Sequence, residues 1–221
     1  MLLKSVSLIL LGLGVFILMQ VVLPFASFKI WELSYYDQSQ ALKDPTAQNV
    51  PDNNYLAQVL GVKVENINNF PAFISDRNIG SAPYSEFELS IPKLDLKDIR
   101  VLVSSDNFES NLAHLKGTAL PGEKGNIFIT GHSSLPLPFS AGKQKPFFVN
   151  LPNIKKGDEI ILKALGQSYA YEVLGMRIVD PKDLSVINPP DSQGRYLSLM
   201  TCVPPGFNTK RLIVLARLKQ S

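Results

Sequence analysis

Three side chains have the chemical types that catalysis by a cysteine nucleophile requires: a thiol, an imidazole and a guanidinium. Cys202 is the only cysteine, and it follows the strand-like run 196–201. Arg211 lies a short way downstream, directly before the apolar run 212–216. The thiolate is the reactive form of cysteine, and a nearby positive charge favours it. A lone cysteine is more often a small buried apolar residue, but these surroundings favour a reactive thiol.

The second candidate is His132, one of two histidines in the chain. It follows the strand-like run 126–130 and opens a loop rich in Pro, Ser and Gly, a position typical of a residue that faces a cleft. Histidine holds or delivers a proton near neutral pH, and arginine offers permanently charged donors to an oxyanion. No acidic residue is obviously poised as a third partner, so Arg211 is expected to take the role that an orienting Asp or Asn has elsewhere.

The other histidine, His114, is expected to be structural or to line the cleft, and not to act as the base. Two histidines far apart in the sequence, with one cysteine, form a weak ligand set for zinc. The sequence therefore predicts no metal site, and it predicts no cofactor.

The region that begins near residue 86 has the pattern of an all-β domain with short helices. Short helices are predicted at 107–115 and 181–187. A chain with many strands and few, short helices indicates a sandwich or a closed barrel. The predicted strands are 87–91, 99–104, 126–130, 159–165, 168–179, 196–201 and 212–218.

The N-terminal segment has the composition of a membrane anchor. Residues 5–28 carry no charge, and a transmembrane helix needs about 20 mostly apolar residues. A cleaved signal peptide, whose apolar region is usually about 7–15 residues long, is the alternative. The longer run favours a short N-terminal tip and a retained transmembrane anchor over residues 1–30. Lysines at both ends, Lys4 and Lys29, leave the orientation open.

The segment that joins the anchor to the β domain is acidic. Residues 31–91 hold eight acids and three bases, whereas residues 92–221 hold eleven acids and seventeen bases. Residues 31–85 are therefore interpreted as an acidic linker or appendage, which either packs on the basic domain or forms a solvated stalk. The bases are scattered without runs, so no nucleic-acid partner is predicted.

Four blocks of sequence resemble those of the sortases, the membrane-anchored cysteine transpeptidases of bacterial surfaces. They are Leu-Ser-Ile-Pro-Lys-Leu at 89–94, the histidine block 117–132, Ser-Leu-Met-Thr-Cys at 198–202 and Arg-Leu-Ile-Val at 211–214. The third block resembles the family signature TLxTC, with Ser in place of the first Thr. Because the blocks occur in the family's order, the signal is stronger than any block alone. The resemblance implies a closed eight-stranded catalytic β-barrel over residues 86–221, held outside the membrane.

The resemblance also implies an activity and roles for named residues. Cys202 would attack a backbone carbonyl of an LPxTG-like sorting motif in a secreted protein and form a thioester, while His132 protonates the leaving amine and Arg211 stabilises the oxyanion. An amine of a cell-wall precursor or a pilin lysine would then accept the acyl group. Thr201 would contact the substrate, or serve only as a β-branched strand residue.

Two other functions stay open at this point. One is a hydrolytic cysteine peptidase, and the other is a non-catalytic, membrane-anchored β-barrel binding module whose cysteine is inert. The family's pilus-building members often carry a lid with Asp-Pro followed by an aromatic residue. Here Thr46 follows Asp44 and Pro45, so a lid of that kind is not predicted.

Overall fold

The computed structural model describes residues 2–39, 55–67, 70–77, 80, 82–107, 109–133, 145–205 and 209–219. The chain divides into two compact units, Met1–Asp44 and Pro45–Ser221. The described part of the first unit is one helix, α1 (Leu2–Ser39), with exposed apolar side chains. Judged on the described residues, no helix of the chain combines the length and apolarity needed to cross a membrane. The transmembrane anchor predicted for residues 1–30 is therefore not supported.

The second unit is built around a closed barrel of eight strands, which confirms the closed-barrel prediction. The barrel strands are β3 (Glu86–Ile91), β4 (Leu96–Leu102), β5 (Leu112–His114), β6 (Gly125–Thr130), β7 (Glu159–Ala164), β8 (Gln167–Val179), β9 (Arg195–Val203) and β10 (Lys210–Leu218). Their order around the barrel is β10-β8-β7-β3-β4-β5-β6-β9, and β9 pairs with β10 to close it. Two of the pairs, β4 with β5 and β6 with β9, are parallel.

Strand β9 is buried along almost its whole length, because every residue after Arg195 is buried. A strand with one solvated face would alternate buried and exposed residues. Here one face lies inside the barrel and the other is covered from outside by the segments described next. The residues that β9 carries on its outer face are consequently shielded from water as well.

The covering structure comes from residues before the barrel. Helix α2 (Tyr55–Leu60) leads into an antiparallel hairpin of β1 (Val62–Ile67) and β2 (Phe70–Ser75), which we call the covering hairpin. Phe73 stacks on Phe128 of β6 with ring centroids 5.7 Å apart. The buried apolar residues of this interface are Ala57, Leu60, Val62, Phe73, Leu115, Phe128, Val186, Ile187, Met200 and Ile213.

Within the acidic segment, the residues of α2, β1 and β2 pack on the barrel. Besides the apolar interface, the Leu56 backbone N–H donates to Asn188 Oδ1 across 3.3 Å. The Ser75 hydroxyl ties β2 back to α2 by donating to the Leu60 carbonyl oxygen, at 2.6 Å. Residues 31–39 of the acidic segment form the end of α1, and residues 40–54 lie outside the described residues.

The helix predicted at 107–115 is wrong, because residues 112–114 form strand β5. Leu112 pairs in parallel with Val101 of β4, and Ala113 pairs with Thr130 of β6. Non-local pairing therefore overrides the local pattern at this point. Within the second predicted helix, 181–187, the structure has a short 3₁₀ helix, Leu184–Ile187, whose first turn is capped by the Asp183 carboxylate accepting from the Ser185 backbone N–H.

Candidate active site

Cys202 lies near the end of β9 and is 3% exposed. Strand β9 lies between two other strands, with β6 on one side and β10 on the other. In a pleated strand, neighbouring residues point to opposite faces. Met200, two residues before Cys202, packs against the covering hairpin, so both side chains lie on the outer face of the barrel.

Arg211 is the direct cross-strand partner of Cys202. The two residues oppose each other in the antiparallel pair of β10 and β9, and Arg211 is fully buried. Residues directly opposite in such a pair have Cβ atoms about 4.5–5.5 Å apart and share a face. The guanidinium is held in part by Nη1 donating to the Lys210 carbonyl oxygen, at 3.0 Å. Arg211 is therefore placed to act on groups bound at the thiol.

His132 comes level with Cys202 on the other side of β9. The parallel pairing of β6 with β9 sets Thr130 opposite Met200. The Gly131 backbone N–H then donates to the Met200 carbonyl oxygen across 3.1 Å, so the two chains stay side by side beyond the end of β6. Two residues further along each chain, His132 and Cys202 occupy matching positions on the same face. His132, Cys202 and Arg211 thus line up in one row across the segment that follows β6, strand β9 and strand β10.

Burial sets the protonation states of this row. It lowers the pKa of His132 to about 4. It raises the pKa of the Cys202 thiol to about 11, and the positive charge of Arg211 offsets only part of that rise. Burial also lowers the pKa of Arg211. At neutral pH the row therefore holds a neutral thiol and a neutral imidazole. A thiolate–imidazolium pair is scarce while the site is covered.

The cover over the thiol comes partly from the N-terminal segment. Cys202 packs in a small apolar cluster with Ala72 of β2 and Ala113 of β5, and Ile74 of β2 lies against the same cluster. Removing this contact would let water reach the sulfur, and solvation favours the charged thiolate. The covering hairpin is thus in direct contact with the candidate nucleophile.

The hydroxyl of Thr201 is engaged inside the fold. Thr201 is fully buried, and its Oγ1 donates to the Gly131 carbonyl oxygen across 2.8 Å. By strand alternation its side chain lies on the face opposite to Cys202. The substrate-binding role expected for Thr201 stays a prediction, and the observed contact is one that joins β9 to the chain around His132.

His114 has a structural environment. Its Nδ1 accepts from the Ser104 backbone N–H at 3.3 Å, and its Nε2 lies 3.0 Å from the Ala119 carbonyl oxygen. Nδ1 accepts, so the proton of the neutral ring is on Nε2, which donates. Burial lowers the pKa of His114 to about 4, which keeps the ring neutral. Among the described residues, no cluster of three or more His, Cys, Asp and Glu side chains is arranged to hold a metal.

Sequence reasoning missed Ser133, and it did not identify which residues cover Cys202. The Ser133 hydroxyl donates to the Cys202 carbonyl oxygen across 2.5 Å. The only indication of its role in the sequence is its position directly after His132. A serine at the start of a loop has no spacing that marks it as functional. The contact of Ala72 with Cys202 depends on how the hairpin docks, for which the sequence carries no periodic pattern.

Comparison with known proteins connects this geometry to a family. The family model for the sortase domain matches residues 89–219. A sortase A of Bacillus anthracis is 33% identical over 132 residues, covering 59% of this chain and 58% of that protein. A sortase D of Bacillus subtilis is 28% identical over 133 residues, covering 58% of this chain and 61% of that protein. The matched region therefore spans less than two thirds of either relative.

Solved structures of sortases also resemble the fold of this chain. A lid mutant of sortase A from Corynebacterium diphtheriae is 30% identical, with a TM-score of 0.55, covering 64% of this chain and 73% of that one. Sortase C-1 from Actinomyces oris is 27% identical, with a TM-score of 0.54, covering 61% of this chain and 74% of that one.

Proposed function

The chain belongs to the sortase family, and from that membership we propose that it is a cysteine transpeptidase acting on a sorting motif. The observation that carries the proposal is the row of His132, Cys202 and Arg211, which lie directly after β6, on β9 and on β10. A nucleophile between a proton carrier and a fixed cation has the parts that acyl transfer to and from sulfur needs.

In the proposed first half-reaction, the Cys202 thiol gives its proton to His132 as Sγ bonds to the backbone carbonyl carbon of an LPxTG-like motif in a secreted protein. The oxyanion that forms lies by the Arg211 guanidinium. As it collapses, the carbon–nitrogen bond breaks and His132, as imidazolium, gives its proton to the leaving amine. The products are a thioester on Cys202, a neutral His132 and the released C-terminal fragment.

In the second half-reaction an amine attacks the thioester carbonyl. His132 takes the proton that the attacking nitrogen loses, the carbon–sulfur bond breaks, and the thiolate is regenerated beside an imidazolium. We propose that the accepting amine belongs to a cell-wall precursor or to a pilin lysine. Thr201 is proposed to support motif binding through its backbone, because its hydroxyl is engaged with Gly131.

The test uses the purified chain, a peptide with an LPxTG-type motif, and either triglycine or a lysine amide as acceptor. Mass spectrometry distinguishes three products: an acyl group joined to the amine, a free acid, or intact peptide. The first supports the transpeptidase. A free acid alone, at every amine concentration, would support the hydrolytic peptidase instead. The burial of Cys202 is the one observation that favours the third function, a non-catalytic binding module. Intact peptide without a covalent adduct would support that function.

We also propose that α1 attaches the barrel to a membrane, with the barrel on the extracytoplasmic side. The support is family membership, the uncharged stretch 5–28 and exposed apolar side chains of α1 such as Leu8 and Phe16. Fractionation of expressing cells, followed by alkaline carbonate washing, tests this directly. Retention in the washed membranes, with the barrel accessible to external protease, supports the proposal. Recovery in the carbonate supernatant contradicts it.

A further inference from the structure

The pairing between β6 and β9 continues past the end of β6 by means of side-chain hydroxyls. The backbone bond from Gly131 N–H to the Met200 carbonyl oxygen spans 3.1 Å. The next two carbonyl groups of the parallel ladder are those of Gly131 and Cys202. The first accepts from Thr201 Oγ1 across 2.8 Å, and the second accepts from Ser133 Oγ across 2.5 Å.

These two bonds bracket His132. The residue before it is held to β9 by Thr201, and the residue after it is held to β9 by its own hydroxyl. The carbonyl oxygen of His132 itself accepts from the Phe148 backbone N–H across 2.9 Å, on the side away from β9. The backbone that carries the imidazole is therefore fixed from both sides at the level of Cys202.

Of the two hydroxyls, that of Ser133 is the better candidate for a role in the reaction. It is 2% exposed, and its acceptor is the carbonyl of the nucleophile residue itself. A buried hydroxyl bonded to a carbonyl is satisfied and stays in place, because breaking the bond leaves two desolvated polar groups unpaired. The bond joins the residue after the imidazole to the residue that bears the thiol, so it fixes their relative placement.

We propose that Ser133 is a positioning residue for the transpeptidation reaction: its bond to the Cys202 carbonyl holds His132 at the distance and angle needed for proton transfer. The inference rests on the proposed function. Proton transfer requires heavy atoms about 2.6–3.2 Å apart, and a misplacement of about 1 Å can lower a rate about 100-fold. Ser133 acts through Cys202 and His132, without contact to the reacting atoms.

The substitution that tests this is Ser133→Ala, with Ser198→Ala as the matched control. Ser198 is likewise a buried serine; it lies on β9, and its hydroxyl joins β9 to β6 by donating to Asn126 Oδ1 across 3.1 Å. Each variant loses one hydroxyl that joins β9 to β6 or to the segment directly after β6, but only Ser133 adjoins the row. We expect Ser133→Ala to lower kcat about 10- to 100-fold, with KM changed less than about twofold. Ser198→Ala should keep kcat within about twofold of the unsubstituted chain.

A conservative variant separates positioning from folding. Ser133→Thr keeps the hydroxyl, and we expect it to recover most of kcat. Thermal melting of the full chain should shift by similar amounts in Ser133→Ala and Ser198→Ala. A kcat loss that follows the melting temperature across all three variants would overturn the proposal, because the role would then be structural only.

The closing experiment needs no peptide substrate, so its outcome is independent of whether the proposed function holds. The rate at which iodoacetamide alkylates Cys202 is measured from pH 5 to pH 10 in the full chain, in Ser133→Ala, in His132→Ala and in the double variant. If Ser133 acts through His132, Ser133→Ala shifts the pH profile on its own and adds nothing in the His132→Ala background. Two results would overturn the proposal. One is that Ser133→Ala shifts the pH profile as much in the His132→Ala background as it does alone, and the other is that Ser133→Ala alone leaves the profile unshifted.

Discussion

Cys202 and Arg211 are directly opposed residues of adjacent antiparallel strands, and Arg211 is fully buried beside the thiol. The pairing fixes the separation of the two side chains through the barrel's own hydrogen bonds. The positive charge pulls the pKa of Cys202 down, while burial raises it by more. We propose that the same charge stabilises the oxyanion that forms on a carbonyl bonded to the sulfur.

Arg211→Lys tests whether the guanidinium stabilises that oxyanion. Lysine keeps the charge but loses the planar arrangement of donors. We expect kcat to fall by about 10²–10³-fold, the range for loss of an oxyanion donor. The measurement is steady-state transfer of a sorting peptide to an amine at saturating peptide. Arg217→Lys, a change on the exposed part of the same strand, serves as control and should leave kcat unchanged.

Two results would contradict this role for Arg211. One is near-normal turnover of Arg211→Lys with saturating peptide. The other is a loss that lies wholly in KM, because that pattern is the signature of ground-state binding.

Loosening the covering hairpin should make Cys202 more reactive. Phe73 anchors the hairpin by stacking on Phe128, and truncation of a buried Phe typically costs about 3–5 kcal/mol. Phe73→Ala should therefore raise the population in which Ala72 has left Cys202. Because burial is the main cause of the raised thiol pKa, the pKa should fall toward its ordinary value, and alkylation at pH 7 should quicken.

The control is Leu162→Ala, a truncation of a buried residue of β7 away from the site. It should lower the melting temperature without quickening alkylation below that temperature. Equal alkylation rates in Phe73→Ala and the unsubstituted chain would show that the hairpin does not control access to the thiol.

Protonation of the buried His114 should lower the free energy of unfolding in mild acid. Its pKa is lowered to about 4 in the folded chain, with burial as the main cause, against about 6.5 when unfolded. Between about pH 6.5 and pH 4, His114 is therefore protonated in the unfolded chain but not in the folded chain. Stability is full above about pH 6.5 and is lost as the pH falls toward 4, by about 3 kcal/mol for this residue.

The measurement for His114 is urea unfolding of the full chain at several pH values between 7 and 4, followed by near-ultraviolet circular dichroism. His114→Gln cannot take up the proton, so its free energy of unfolding should fall less steeply with decreasing pH. His132, buried with a similarly lowered pKa, should supply the slope that remains. An unchanged slope in His114→Gln would contradict this assignment.

Much of the barrel could be predicted from the sequence because its strands carry local signals. The alternation of Phe87, Leu89 and Ile91 marks β3, and the apolar runs mark β6, β9 and β10. The row of three residues could be expected because His132 and Cys202 come at the ends of apolar runs and Arg211 comes at the start of one. Strand β5 could not, since its three residues depend on partners in β4 and β6 for their conformation.

The burial of the site could not be derived from the sequence in the same way. A nearby arginine favoured a low pKa for Cys202, yet burial overrides it and raises the pKa to about 11. The deciding contacts come from Ala72 and Ile74 of the hairpin, small apolar residues without a diagnostic spacing. Docking of two distant segments is fixed by complementary packing, which single-chain periodicity does not encode.

The most direct test of the account is to trap the acyl group on Cys202. The full chain is incubated with a sorting peptide without an amine acceptor, quenched in acid, and examined by intact-protein mass spectrometry. We predict an adduct with the mass of the N-terminal part of the peptide, located on Cys202, that disappears when an amine is added as the joined product forms. Cys202→Ala should form neither adduct nor product while keeping its fold, because only a sulfur atom is lost. Peptide transfer by Cys202→Ala at a substantial fraction of the unsubstituted rate would contradict the central claim.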